Sequence, residues 1–241
     1  MMTDLMKTDS AVLVTGGTRG IGKAICDALA EDHDLVVGGT DPAAVDAACE
    51  QYPSARPFAA DLTDGDAVVR AVDELGLERL DGLVHSAGLL GSGAFRDLTR
   101  DDWRRTFEVN VFAVADLTRL LLPALEEASG TVVVINSGSG LTANGPGGVY
   151  SASKFAARAL TDAMREELRP TGIRVSSVHP GRVATDMQVE LNEFEGREYD
   201  AENYLRPESV ANAVRAALTA SPDANFDMVS VRPGPAATNR T

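Results

Sequence analysis

The chain has 241 residues, 44% of them hydrophobic and 24% charged, which is ordinary for a globular protein and long enough for a large core. Its net charge of -14 disfavours nucleic acid and anionic membrane surfaces as partners, because both would repel it. Cys26 and Cys49 lack metal-ligand spacing and read as thiols of a reducing compartment; with no apolar leader and no run of 18 apolar residues, the expected location is the cytoplasm.

In chain order, a strand is predicted at 11–15 (AVLVT), then a glycine-rich turn and a helix near 20–31. A second strand at 35–39 (LVVGG) precedes a helix near 42–52, and a third at 56–60 (RPFAA) precedes one near 64–75. The fourth strand, 82–86 (GLVHS), leads to a helical pattern over 100–128. Thr99 and Asp102 resemble a capping box at its start, and Pro123 is expected to kink or end its regular part. Strands at 131–137 (TVVVINS), 174–179 (RVSSVH) and 228–232 (MVSVR) alternate with helices near 149–168 and 207–219, the last with Pro207 in its first turn. Strands separated by crossover-length helices require a parallel sheet covered on both faces, so the fold class is α/β: a doubly wound, seven-stranded parallel sheet in a single domain. Ligands of such sheets sit beyond the carboxyl ends of the strands, near the point where strand order switches.

The first turn, VTGGTRGIGKA from Val14 to Ala24, admits two phosphate-binding readings. From Gly17 it nearly spells an ATPase loop, but that loop needs a Ser or Thr hydroxyl for magnesium after Lys23, and Ala24 offers no ligand atom. From Thr15 it spells Thr-Gly-x-x-x-Gly-x-Gly, with a strand before it and a helix after it, the context in which a helix N-terminus attracts a pyrophosphate.

That second pattern, Thr15-Gly16-x-x-x-Gly20-Ile21-Gly22, resembles the loop of the short-chain dehydrogenase/reductase family. Asp61-Leu62 after the third strand, HSAG at His85–Gly88, Asn110, the pair Tyr150-x-x-x-Lys154, a serine 13 residues before the tyrosine, and HPGRVAT at 179–185 follow in family order. Together they cover nearly the whole chain. The resemblance implies a Rossmann-type oxidoreductase with a nicotinamide dinucleotide as cofactor. The pyrophosphate loop would be Gly16, Thr18, Arg19, Gly20, Ile21 and Gly22. Thr40 would face the ribose, and Asp61 and Leu62 the adenine. Ser86, Ala87 and Gly88 would line the middle of the cofactor; Tyr150, Lys154, Pro180, Gly181, Val183 and Thr185 would surround its nicotinamide end. His85 and Ser86 stand where the family usually has two asparagines, so the bracing of the central strands must differ.

Four apart on a predicted helix, Tyr150 and Lys154 share a face. A tyrosine ionises near pH 10 when unperturbed; a neighbouring ammonium and an oxidised nicotinamide would lower that value. Ser137 could donate to a substrate oxygen as charge develops on it, with Ser139 as the alternative in NSGSG. By resemblance, Asn110 holds a water that links the lysine to solvent. The implied reaction is hydride transfer between the cofactor and a carbonyl or alcohol carbon.

Thr40 and Arg19 favour NADP(H) over NAD(H), whereas a one-residue shift would bring Asp41 to the ribose and reverse the preference. Residues 186–206, acidic and carrying Met187, Leu191, Phe194, Tyr199 and Tyr204, read either as a substrate-binding lid, which would argue against anionic acyl-carrier or coenzyme A substrates, or as a solvated helix and loop. The expected partner is a small carbonyl or alcohol compound, with no nucleic acid, membrane or metal. A homodimer or homotetramer is implied by resemblance. A cofactor sensor without turnover is the competing reading, and it would have no need of Asn110, Ser137, Tyr150 and Lys154 together.

Overall fold

The computed structural model describes residues 10–91, 93–143 and 147–234. Its seven strands are β1 (Ala11–Thr15), β2 (Asp34–Gly39), β3 (Ala55–Ala59), β4 (Gly82–His85), β5 (Thr131–Ile135), β6 (Arg174–Pro180) and β7 (Met228–Val231). They form one all-parallel sheet in the order β3-β2-β1-β4-β5-β6-β7. Every residue of β1, β4 and β5 is buried, as expected of central strands covered on both faces. Because successive side chains alternate, Leu13 joins Val36, Phe58 and Val134 on one face, while Val12 and Val14 join Leu35, Val37 and Val133 on the other.

The helices are α1 (Gly20–Leu29), α2 (Pro42–Cys49), α3 (Gly65–Leu75), α4 (Arg100–Phe107), α5 (Ala113–Ala128), α6 (Gly148–Leu168), α7 (Asp186–Glu195) and α8 (Pro207–Leu218). Ile25 and Leu29 of α1 and Val210 and Val214 of α8 pack on the Val12–Val14 face. Val68 and Leu75 of α3, with Leu117, Leu121 and Leu125 of α5, pack on the face carrying Leu13. Each set recurs at four- or seven-residue spacing, the stripe a helix needs to cover a sheet.

The helical pattern read over 100–128 divides into α4, a π-helical turn at Glu108–Phe112, and α5. The capping box is present: Thr99 Oγ1 accepts from Asp102 N, and Asp102 Oδ2 accepts from Thr99 N. Pro123, however, does not end the helix, which runs on to Ala128. Pro123 and Arg119, whose carbonyl loses its helical partner there, are both exposed, so water can replace the missing bond. The irregularity lies instead at the turn carrying Asn110, where wide turns of this kind commonly serve a site. The segment 186–206 begins with a helix, α7, as one of its two readings allowed.

Topology fixes where a ligand can sit. The chain steps from β1 outward to β2 and β3, then returns to β4 on the other side of β1. The loops after β1 and β4 therefore part from each other and open a crevice at the carboxyl edge of the sheet. Cys26 and Cys49 are both free thiols. No helix among the described residues is long and apolar enough to cross a membrane.

Candidate active site

A groove of about 860 Å3 crosses this edge, and Gly16, Thr18, Arg19, Gly20, Ile21 and Gly22 all line it. So do Thr40, Asp61, Leu62, Ser86, Ala87 and Gly88, which brings the sequence-predicted cofactor residues of four loops to one cleft. The loop after β1 meets the loop after β4 as bare backbone. Gly16 has φ +65°, and a Cβ there would lie 3.0 Å from Ala87 Cα; a Cβ on Gly22 would collide with the Gly16 carbonyl. Arg19, at the N-cap of α1, makes no side-chain cap, and the first turn holds no acid. By contrast α2, α3 and α4 are capped by Asp41, Asp64 and Thr99. The α1 N-terminus thus lacks a side-chain acceptor where it faces the groove, and a pyrophosphate fits that deficit.

Thr15, not singled out in the sequence as a site residue, ties the two loops together. Its Oγ1 accepts from the backbone N–H of Ser86 and of Ala87, both at 3.1 Å, and donates to the Val84 carbonyl at 3.4 Å. His85 braces a different layer. Its Nε2 lies 2.9 Å from Thr118 Oγ1, whose own proton goes to the Val114 carbonyl, so Nε2 carries the hydrogen and donates. Burial pushes the imidazole down to about 3, which keeps it neutral and structural.

At the ribose end Thr40 lines the groove, whereas Asp41 does not; its Oδ1 accepts from Ala43 N at 3.1 Å and caps α2. Asp61 Oδ1 accepts from both the backbone and the hydroxyl of Thr63, each at 2.9 Å. Arg19 reaches over to Asp186 at 2.7 Å, an exposed pair that links the loop to α7.

Tyr150 and Lys154 stand one turn apart on α6, opposite the segment that leaves β5. Lys154 is buried, donates to the Ile135 carbonyl at 3.0 Å, and holds its Nζ 5.7 Å from the centre of the Tyr150 ring. Ser137 lies two residues past the end of β5. Its Oγ accepts from Ser139 N at 3.1 Å, and its hydroxyl approaches Tyr150. Asn110 sits across from them: Oδ1 accepts from Leu89 N at 2.9 Å, while Nδ2 donates to the Leu89 carbonyl at 3.0 Å and to Ser153 Oγ at 2.9 Å. Most of its amide is therefore spent clamping the loop that carries Gly88 and Leu89 to α6.

The electrostatics depart from the sequence expectation. Burial raises the Tyr150 pKa, and the approach of the Ser137 hydroxyl, which favours the phenolate, opposes that only in part. Burial also pushes Lys154 down, to about 8. The tyrosine is thus not pre-ionised by its lysine in the protein alone, because the same desolvation acts on both groups. Asn136 and His179, neither assigned from sequence, fix the serine's backbone. Asn136 Oδ1 accepts from Ser137 N at 2.8 Å, and its Nδ2 donates to the Lys154 carbonyl at 3.0 Å. His179 is fully buried and donates through Nδ1 to the Ser137 carbonyl at 3.0 Å, so its Nε2 accepts from Ser177 Oγ at 2.5 Å.

A second cavity, of about 580 Å3, adjoins the groove at Ile21, Leu90, Thr185 and Met187. Ser137, Tyr150, Pro180, Gly181 and Val183 line it, and α7 covers it with Met187, Leu191 and Phe194. Tyr199 and Tyr204 are not among its walls. They stack on each other at 5.6 Å, and the Tyr204 hydroxyl bonds Asn192. Arg182 lines the cavity and is held by both oxygens of Glu195, at 2.8 and 2.5 Å.

A pyrophosphate cradle at the switch point, opening onto a cavity with Ser137 and Tyr150 on its wall and the buried Lys154 beside the tyrosine ring, fits a dinucleotide-dependent oxidoreductase. Residues 10–196 match the short chain dehydrogenase family, and the chain belongs to it. An uncharacterised oxidoreductase of Staphylococcus aureus (strain USA300) is 30% identical over 232 residues, covering 94% of this chain and 98% of that protein. A 3-oxoacyl-[acyl-carrier protein] reductase from Brucella melitensis, solved with bound NAD, superposes with a TM-score of 0.81 at 30% identity over 94% of this chain and 90% of its own. A metagenomic short-chain oxidoreductase in complex with NADP gives a TM-score of 0.80 at 27% identity, over 94% and 98%. The protein is an NAD(P)-dependent dehydrogenase or reductase.

Proposed function

We propose that the protein interconverts a carbonyl and a secondary alcohol with NADP(H), using Tyr150 as the proton donor and acceptor. The observation that carries this reading is the placing of Ser137 and Tyr150 on one cavity wall with the buried Lys154 ammonium 5.7 Å from the centre of the tyrosine ring. When bound, the nicotinamide supplies or accepts the hydride. Ser137 hydrogen-bonds the substrate oxygen and orients it; Tyr150 gives that oxygen its proton in reduction and takes it in oxidation. Lys154 supports the phenolate, and Asn110 holds the neighbouring loop in register and connects the lysine to solvent. Gly16, Thr18, Gly20, Ile21 and Gly22 would cradle the pyrophosphate, Asp61 and Leu62 the adenine, and Ser86, Ala87 and Gly88 the middle of the cofactor. Pro180, Gly181, Val183 and Thr185 would enclose the nicotinamide end.

NADP(H) over NAD(H) is supported by Thr40 and Arg19 in the groove and by the engagement of Asp41 in capping α2. Exposed Phe112 and Phe155, on the surfaces of the π-helical turn and α6, support a homodimer or homotetramer. Tyr150→Phe tests the assignment. NADPH affinity is expected to stay within about twofold while turnover falls by roughly 10² to 10⁴; unchanged turnover would overturn the mechanism. Cofactor binding by the unsubstituted protein with no turnover on any carbonyl compound would favour the cofactor sensor.

A further inference from the structure

The wall beside Ser137 is positive in a chain of net charge -14. Arg232, immediately after β7, lines the cavity and lies across the turns that carry the site. Its Nη1 is 3.5 Å from the Pro180 carbonyl, and its guanidinium occupies the space that a Cβ on Gly138, the residue after Ser137, would need. Its Cδ would lie 3.8 Å from a Cβ on Gly181. Gly138 thus makes room for an arginine next to the serine and beneath the Pro-Gly turn.

Charge accounting around the cavity singles this arginine out. Glu195 is the one carboxylate among the described lining residues, and it is already bound by Arg182 and approached by Arg197 at 3.5 Å. Arg232 forms no ion pair among the described residues. The remaining walls are apolar (Met187, Leu191, Phe194) or carry neutral hydroxyls and amides (Ser139, Thr142, Asn136, Gln188). An uncompensated guanidinium in such a place is a fork of donors matched to one carboxylate.

We infer that the substrate carries a carboxylate that docks on Arg232, with its reacting carbonyl or hydroxyl carbon at Ser137 and Tyr150: a short oxo or hydroxy acid. This rests on the oxidoreductase reading above and narrows it. One guanidinium balances a carboxylate's single charge better than a phosphate's two. Asp186, Glu190 and Glu193 on α7 lie outside the wall of this cavity and so do not oppose a small acid inside it.

The test compares 3-oxobutanoate and 4-oxopentanoate with their methyl esters, which keep the carbonyl and remove the charge. With NADPH, at least one acid is expected to show kcat/KM about tenfold or more above its ester. Arg232→Gln should raise the KM of that acid by about tenfold and change the ester by less than about twofold, while Arg232→Lys should keep most of the preference. Esters reduced as well as the acids, an equal loss on both in Arg232→Gln, or reduction of neither acid would overturn the inference. NADPH and NADH binding to the same proteins, followed by fluorescence, separates the two levels. Cofactor binding with any of those results leaves the parent reading standing, whereas loss of binding to both nucleotides in the unsubstituted protein would remove parent and inference together.

Discussion

The ammonium of Lys154 lies 5.7 Å from the centre of the Tyr150 ring with only 5% of the lysine exposed. Its folded value of about 8 against an ordinary 10.5 means that the fold disfavours the charged form. Below pH 8 the lysine is charged in both folded and unfolded chains, so the penalty is present in full. It is relieved as pH rises from 8 to 10.5, where only the unfolded chain still holds the proton. A shift of this size corresponds to about 3 kcal/mol, part of which the Ile135 hydrogen bond offsets. Lys154→Met is therefore expected to abolish turnover yet stabilise the free protein by on the order of 1–3 kcal/mol at pH 7, with the gain shrinking toward pH 10. Urea unfolding at the two pH values measures this; a variant less stable than the parent at pH 7 would show that the lysine is not held against its preference.

Asp41 and Arg19 make opposite predictions for cofactor choice. Asp41 lies outside the groove and caps α2, so Asp41→Ala is expected to cost about 1 kcal/mol of stability and leave the NADPH/NADH ratio unchanged. Arg19 faces the groove and is tethered to Asp186 by an exposed ion pair. Arg19→Ala should weaken NADPH by about tenfold with little effect on NADH, since only the former carries a 2′-phosphate. Fluorescence titrations of both variants with both nucleotides decide the matter. A rise in NADH affinity for Arg19→Ala, or its collapse for Asp41→Ala, would move the ribose contact to Asp41.

Much of this site was legible because its signals are local. The run AVLVT forces a strand buried on both faces; Thr15-Gly16 places bare backbone at its end, and the four-residue spacing of Tyr150 and Lys154 puts both on one face of α6. What could not be read depends on partners far along the chain. The wide turn at Glu108–Phe112 is set by Asn110 reaching Leu89 and Ser153, the latter 43 residues away, whereas Pro123 disturbs only an exposed carbonyl that water can serve. α7 does carry Met187, Leu191 and Phe194 at helical spacing, but the stripe is short and set among acids, and what ties its end down is Asn192 bonding Glu198 and Tyr204 beyond the helix. His179 meets the Ser137 carbonyl across 42 residues, and Arg232 meets Gly138 only after the last strand has been laid down. The raised Tyr150 pKa likewise follows from burial, which neighbouring sequence does not encode.

His85 provides a test of how the sheet is braced without the asparagine usual in the family. The folded imidazole is held down to about 3 by burial, while in the unfolded chain it takes up a proton near the ordinary 6.5. Its contribution is therefore intact above pH 6.5 and is lost as pH falls from 6.5 toward 3, by at most about 1.4 kcal/mol per pH unit. His85→Asn removes that titration and keeps a donor for Thr118 Oγ1, whose own proton is committed to the Val114 carbonyl. Between pH 7 and 4.5 the unsubstituted protein is expected to lose about 2–3 kcal/mol more stability than the variant. Urea midpoints at both pH values, with the denaturant slope checked for constancy, give that difference directly. Parallel losses in the two proteins would mean that carboxylates, not His85, set the acid limit of the fold.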